Sequence, residues 1–215
     1  MPLKQRLLYL GLDPSDYQTG GRLVHLPLIQ IIPYPLSTLE NIFKNFSSFT
    51  HVLITSKSTI PILLGYLADL GFSLKDWKNK RIVVVGRATA RVLCQYNLFP
   101  YLIAQNETSE GIVVELKEIP LEGAHLFWPH SALSRPVIRK FLAQKEIKLT
   151  ECHLYDTRSS HPVSLPSLEQ FDAIIFTSPS TVNAFIEIFG RLPENKDLIS
   201  IGPITEQYLK SKLLK

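Results

Sequence analysis

Val52-Leu-Ile-Thr55-Ser56-Lys-Ser58-Thr59 returns later in the chain as Ile174-Ile-Phe-Thr177-Ser178-Pro-Ser180-Thr181, with TSxST kept at four of its five positions. A short apolar run precedes each copy. Apolar residues at helical spacing follow it: Ile60, Leu63, Leu64 and Leu67 in the first, Val182, Phe185, Ile186 and Phe189 in the second. Each copy therefore reads as a strand-to-helix turn. Ser58 and Ser180 are the expected N-caps, Pro61 suits a first helical turn, and Gly71 and Gly190 stand where the helices should end.

A second motif repeats in the same order. Ile82-Val-Val-Val-Gly86-Arg-Ala-Thr89 returns as Leu198-Ile-Ser-Ile-Gly202-Pro-Ile-Thr205, with GxxT kept. Two matched pairs in one order indicate a duplicated unit. Helices are expected near residues 89–96 and 205–214. Two further strand pairs are expected, 7–12 with 26–32 and 125–128 with 149–155, the latter separated by a helix near 134–144; another helix opens at Thr108-Ser109-Glu110. Strands alternating with helices predict an α/β fold of two doubly wound parallel-sheet lobes, duplicated flavodoxin-like units.

Composition agrees with an ordinary globular chain. Its 215 residues are 45% hydrophobic and 20% charged, enough to bury one large or two small cores. Ten glycines against fifteen prolines suit ordered elements joined by stiff connections, and exclude collagen-like or disordered chains. Apolar runs are far shorter than the roughly 18 residues of a membrane helix, and the start, Met-Pro-Leu-Lys-Gln-Arg before six apolar residues, is too short for an export signal. Cys94 and Cys152 stand alone, without zinc or disulfide spacing, so both are expected reduced in a cytoplasmic protein. The net charge of +4 suits an acidic ligand, but the cations are scattered. Their nearest cluster, Lys75, Lys78, Lys80 and Arg81, reads as solvated surface rather than a nucleic-acid patch.

Open α/β sheets bind ligands beyond the carboxyl ends of their strands, where both repeated motifs fall. Hydroxyl donors, backbone N–H groups and helix N-termini there suit a carboxylate or phosphate. For a single Ser or Thr, helix capping is the commoner role, whereas the repeated TSxST set points to ligand contact. No GxGxxG, GxxxxGK[ST] or GxSxG occurs, and six histidines without metal spacing give no metal site. His130 lies close enough to a strand end to reach a ligand, though a core-edge histidine is the commoner case. Arg135, Arg139 and Lys140 form either an anion clamp or a solvated helix face.

The chain resembles the uroporphyrinogen-III synthase family over roughly residues 7–210. The resemblance rests on strand-TSxS at Thr55 to Ser58 and Thr177 to Ser180, VGxxTAxxL at Val85 to Leu93, and ETSEG at Glu107 to Gly111. It continues through an RxxLxxxL-like helix with Arg135, Ile138 and Leu142, YxT at Tyr155 to Thr157, and IGPxT at Ile201 to Thr205. It implies two α/β lobes, residues 1–33 plus 161–215 and residues 37–154, joined by antiparallel connecting strands at 31–36 and 155–163. It implies a cyclising lyase that closes hydroxymethylbilane, a linear polycarboxylate tetrapyrrole, into uroporphyrinogen III while inverting the last pyrrole through a spiro intermediate, with no cofactor and no metal.

By motif match, Tyr155 is the candidate donor to the departing hydroxyl, although a tyrosine at a strand end also commonly packs its ring. Thr55, Ser56, Gly86, Thr89, Ser109, Arg135, Ser178, Gly202 and Thr205 are the candidate substrate binders. A small-molecule substrate, no nucleic acid, no membrane and a monomer are the expectations, with the preceding pathway enzyme a candidate partner. Two departures from the family pattern stand out. Residues 13–25 are short where relatives carry a helix and loop, and the chain stops at Lys215 before an expected final strand and helix, so that lobe should be the less stable. Rival readings are a non-catalytic tetrapyrrole- or anion-binding module, a sugar-phosphate isomerase-like domain whose loops would carry a Ser-Gly step, and a two-lobed small-molecule receptor, which the missing export signal disfavours.

Overall fold

A computed structural model describes residues 5–214, so the chain start read above and Lys215 lie outside the described residues. The elements run β1 (Arg6–Tyr9), β2 (Arg22–His25), β3 (Ile29–Pro33), α1 (Leu36–Phe43), β4 (His51–Ile54), α2 (Thr59–Asp69), β5 (Arg81–Val84), α3 (Arg87–Gln95), β6 (Leu102–Ile103), α4 (Ser109–Lys117), β7 (His125–Ser131), α5 (Val137–Gln144) and β8 (Lys148–Ser159). They end with β9 (Ala173–Phe176), α6 (Pro179–Phe189), β10 (Asp197–Ser200) and α7 (Pro203–Leu213). The chain divides into two units, Met1–Ile31 with Thr157–Lys215 and Ile32–Asp156. Both divisions fall inside strands, β3 and β8. These two pair antiparallel: the Tyr34 N–H donates to the Leu154 carbonyl and the Ser160 N–H to that of Leu28, so numbers rise along one strand as they fall along the other.

In the Ile32–Asp156 unit the sheet order is β3-β8-β7-β4-β5-β6, and from β8 to β6 every pairing is parallel. The chain steps outward from β4 to β5 and β6, then returns to the other side of β4 with β7. β4 (HVLI) is buried along its whole length, as a parallel strand covered on both faces must be. One face packs Leu53, Val83 and Trp128 with the helical residues Ile112, Leu116, Ile138 and Leu142. Aromatic rings fill the other: Phe49 stacks on Phe127 at 4.6 Å, and Phe43 and Phe46 meet Phe127 edge-on.

In the other unit the order is β10-β9-β1-β2, again all parallel. Leu8, Leu10, Ile174, Phe176, Val182 and Phe185 form its main core. β9 (AIIF) is buried throughout, like β4. The strand read at 26–32 begins only at Ile29, as β3 of the other sheet, and the strand that pairs with β1 is instead β2, which ends at His25 before Pro27. Proline has no N–H to donate to a ladder, which explains the break. The crossover from β1 to β2, residues 10–21, contains no helix. An Asp13 turn, in which the carboxylate accepts from the Ser15 N–H and hydroxyl, and the Tyr9–Tyr17 ring contact at 5.7 Å order it instead.

The helices carry apolar faces as the spacing predicted, and Gly71 and Gly190 follow α2 and α6 at φ +82° and +84°. Two caps differ from expectation. Ser178, not Ser180, caps α6, because Pro179 starts a helix directly after it. Ser58 occupies the cap position of α2 in a helical conformation and makes no side-chain cap bond. Lys80 also departs from the solvated reading. Its ammonium donates to the carbonyls of Phe46 and Phe49 at 2.7 and 2.8 Å and lies 4.4 Å from the Phe46 ring centre. Burial pushes the Lys80 ammonium below the usual lysine range.

Lys80→Ala should therefore lower stability by about 1–3 kcal/mol, from two lost charged hydrogen bonds and a cation–π contact, whereas exposed Lys78→Ala should fall within about 0.5 kcal/mol of the parent. Urea unfolding of the two variants makes the comparison.

Candidate functional site

The direction in which successive strands are added reverses between β4 and β7 in one unit and between β1 and β9 in the other. Such a switch point opens a crevice at the carboxyl ends of a sheet. TSxST follows β4 and β9, so both copies stand at a switch point; GxxT follows the neighbouring strands β5 and β10. In the Ile32–Asp156 unit this edge gathers Thr55 and Ser56 after β4, Gly86 and Thr89 after β5, Ser109 at the start of α4 and Arg135 before α5. Tyr155 lies on β8 opposite Ser131, the last residue of β7, across a β-bulge. In the other unit Ser178 follows β9, and Gly202 and Thr205 follow β10. Each candidate substrate binder thus lies at a carboxyl edge, whereas Tyr155 sits within β8, four residues before its end.

The two TSxST turns use the same residues differently. In the second, the Ser178 hydroxyl accepts from the Thr181 N–H at 3.3 Å, and Thr181 Oγ1 accepts from the Thr177 and Ser178 N–H groups at 3.1 and 3.2 Å. Thr181 also donates to the Ser178 carbonyl, and the Ser178 and Ser180 hydroxyls pair at 2.8 Å. In the first, the Ser56 hydroxyl accepts from the Ser58 N–H at 3.2 Å, while the Thr59 hydroxyl is fully buried with no hydrogen-bond partner. α6 starts one residue after its TS pair and α2 three residues after. Pro179, fixed near helical φ, accounts for the tighter start; Lys57 imposes no such start.

The GxxT turns have diverged as well. Gly86 and Gly202 hold the cap positions of α3 and α7 in extended conformations, and Thr89 and Thr205 are buried in the first turns. At Gly86 the turn is filled: the Glu107 carboxylate accepts from the Arg87 N–H at 2.9 Å, and a Cβ on Gly86 would come within 2.3 Å of the Glu107 carboxyl carbon. At Gly202 a Cβ would meet nothing within 4 Å. An anion does sit at one GxxT turn, and it is the protein's own. Close approach recurs at the other unit's switch point, where a Cβ on Gly11 would lie 2.5 Å from the Thr177 side chain.

Arg135 is likewise engaged. Its two terminal nitrogens donate to both oxygens of Glu110 at 2.5 and 2.7 Å, and this guanidinium holds the Glu110 carboxyl below the usual carboxylate range. ETSEG thus supplies two carboxylates, Glu107 and Glu110, to two groups read as anion binders. Arg139 reaches Glu151 instead, at 3.6 Å. Tyr155 is buried, 3% exposed, and its carbonyl accepts from the Ala132 N–H. Both cysteines are free, and burial pushes the Cys152 thiol up to about 12, which makes it inert. No group of three or more His, Cys, Asp or Glu among the described residues could hold a metal. No helix among them is long and apolar enough to cross a membrane. The sequence reading missed Glu107, Gly11 and Trp128, whose indole N–H donates to Thr55 Oγ1 at 3.3 Å; only the position of Trp128-Pro129-His130 near a strand end hinted at the last.

The divergence of the turns has a measurable consequence. Ser178→Ala removes a working N-cap and should cost about 1 kcal/mol, whereas Ser56→Ala removes one turn bond and should cost less than half of that. Denaturant midpoints of the two variants decide, and equal losses would contradict the difference in capping.

A family model described as "Uroporphyrinogen-III synthase HemD" matches residues 17–215. The chain is 26% identical, over 99% of its length, to a "Porphyrin biosynthesis protein HemD" from Ruminiclostridium josui, of which it spans 42%. It is 25% identical, over 89% of its length and 80% of the relative, to a putative uroporphyrinogen-III synthase from Methanothermobacter thermautotrophicus. Its fold matches that of a mutant uroporphyrinogen III synthase from Thermus thermophilus, with a TM-score of 0.67 at 17% identity over 96% of this chain and 88% of that one. The Helicobacter pylori enzyme gives a TM-score of 0.64 at 20% identity, with the same coverage. With a family match across nearly its whole length and the same fold in solved members, the chain belongs to the uroporphyrinogen-III synthase family.

Proposed function

We propose that the chain acts as a uroporphyrinogen-III synthase, a lyase that closes hydroxymethylbilane into uroporphyrinogen III with inversion of the last pyrrole. The observation that carries this reading is the duplicated set of TSxST and GxxT turns at the carboxyl edges of the two parallel sheets. A substrate bearing acetate and propionate groups along its length needs several mild anion-binding groups rather than one strong charge. Hydroxyls and helix-start N–H groups, which donate hydrogen bonds to carboxylate oxygens, are such binding groups. Thr55, Ser56 and the open turn at Gly202 and Thr205 are the first candidates, joined by Ser178 where its hydroxyl leaves Ser180. Gly86 and Thr89, Ser109 and Arg135 would take part once Glu107 or Glu110 gives way to a substrate carboxylate.

In this reading Tyr155 donates its phenolic proton to the departing hydroxyl, so that the C–O bond breaks and water leaves. The azafulvene formed is attacked by the substituted carbon of the last ring to give the spiro intermediate. Rearrangement and closure follow, and the proton lost from the ring carbon restores the pyrrole. The free substrate closes unaided to the non-inverted isomer, so catalysis here is orientation and differential transition-state binding. The reading needs no cofactor; it places the chain in the cytoplasm as a monomer, with the preceding pathway enzyme as candidate donor of the substrate.

Incubation with freshly prepared hydroxymethylbilane, oxidation and separation of the uroporphyrin isomers tests it. Predominantly isomer III is expected; isomer I alone, at the no-enzyme rate, would favour the binding-module reading. Tyr155→Phe should then lower turnover by about a hundred- to ten-thousand-fold, the usual worth of a general acid, with KM little changed. Unaltered turnover would remove Tyr155 from that role.

A further inference from the structure

Trp128 and His130 sit two residues apart on β7 and project to the same side of the sheet. Both are buried, at 1% and 3% exposure, and the imidazole stacks on the indole with ring centres 3.9 Å apart and planes 28° from parallel. An indole N–H can only donate. Its bond to Thr55 therefore makes Oγ1 the acceptor there, and turns the threonine's own O–H away from Trp128. This happens at the first residue of the TSxST turn, beside the β4/β7 switch point.

What holds the indole is an imidazole with a constrained proton. His130 Nδ1 lies 2.9 Å from the Ser131 carbonyl, which can only accept, so Nδ1 carries a hydrogen. In the neutral ring Nε2 then bears a lone pair. It lies 3.4 Å from Glu151 Oε1, out of line for a hydrogen bond, and has no other partner. Burial, and then the neighbouring His153 ring at 5.1 Å, push the His130 imidazole below the usual histidine range; the Ser131 carbonyl and Glu151 act the other way. Arg139 of α5 draws on the same Glu151 carboxylate at 3.6 Å. The neutral ring is thus the resting state near neutral pH, and acid adds a proton at Nε2 facing Glu151.

We propose that Trp128 is a positioning residue for Thr55, and that the His130 imidazole stacked on it holds the indole so that the Thr55 hydroxyl is aimed at a substrate carboxylate. The proposal rests on reading the TSxST turn as a carboxylate subsite of the synthase. Trp128 touches no reacting atom in it; its effect passes wholly through Thr55.

Trp128→Phe keeps a ring for His130 to stack on and removes only the N–H. It should raise KM for hydroxymethylbilane about fivefold to tenfold, the worth of one buried hydrogen bond, with kcat within about twofold, since binding shared by ground and transition states is what is lost. Thr55→Val should do the same, and the double variant should be no worse than either single one. Wild-type KM in Trp128→Phe, or additive effects in the double variant, would overturn the proposal while leaving the synthase reading intact. A parent that forms no isomer III would instead overturn the synthase reading. The His130 arm is read without turnover. In a Trp77→Phe background, which leaves Trp128 the only tryptophan, indole emission should fall as pH drops below about 6.5 and the stacked ring gains its proton. His130→Gln should abolish that titration, and a titration that survives the substitution would remove His130 from the device.

Discussion

Parallel strands sealed on both faces leave a chain few places to put polar chemistry, and β4 and β9 are such strands, buried at every position. Their ladders use the backbone groups and their neighbours cover the side chains. The carboxyl end, where the chain leaves the sheet for a helix, is the first point at which hydroxyls and unpaired N–H groups meet solvent. Each unit places TSxST at that point, beside the strand that reverses the winding. The aromatic packing of Phe43, Phe46, Phe49 and Phe127 behind β4 and the Phe176–Phe185 contact behind β9 keep those ends fixed. A hydroxyl on a turn is only as well aimed as the strand beneath it.

Duplication preserved the turn residues but not what the turns do. Ser178 and Thr181 satisfy one another and the helix start, so the second turn is closed on itself. The first leaves Thr59 buried without a partner and takes an outside donor, Trp128, at Thr55. At the GxxT turns the contrast runs the other way, with Glu107 in the first and open space at the second. Each unit therefore keeps one turn internally satisfied and one less so. A bound carboxylate would meet different competition at each.

The strand-turn-helix units were legible because their signals are local. Short apolar runs of four, TSxST, and apolar residues at helical spacing all lie within one window, and proline and glycine mark where helices begin and stop. α1 was not anticipated, since it follows Pro35 without a capping side chain, and β6 is only two residues long. Among site groups, residue types and edges were readable but partners were not. Glu107 reaches a backbone N–H 20 residues away and Trp128 a hydroxyl 73 residues away, distances closed only by sheet order. Lys80 was misread for a related reason: its sequence neighbours are exposed cations, and the carbonyls it binds come from a different segment.

The mildness of the edge is itself informative. A free guanidinium would grip a substrate carboxylate equally in ground and transition states, which lowers KM without selecting a product. Arg135 is instead shared with Glu110, and the α3 N-terminus with Glu107, so a carboxylate ligand bound there would gain only the difference between itself and the carboxylate it displaces. What remains undiminished is direction, as at the α6 start fixed by its Ser178 cap. In the proposed synthase reading, choosing between two ring closures of one substrate takes little energy, about 1.4 kcal/mol for each factor of ten. A few well-aimed neutral donors can supply that, provided the strands behind them do not move.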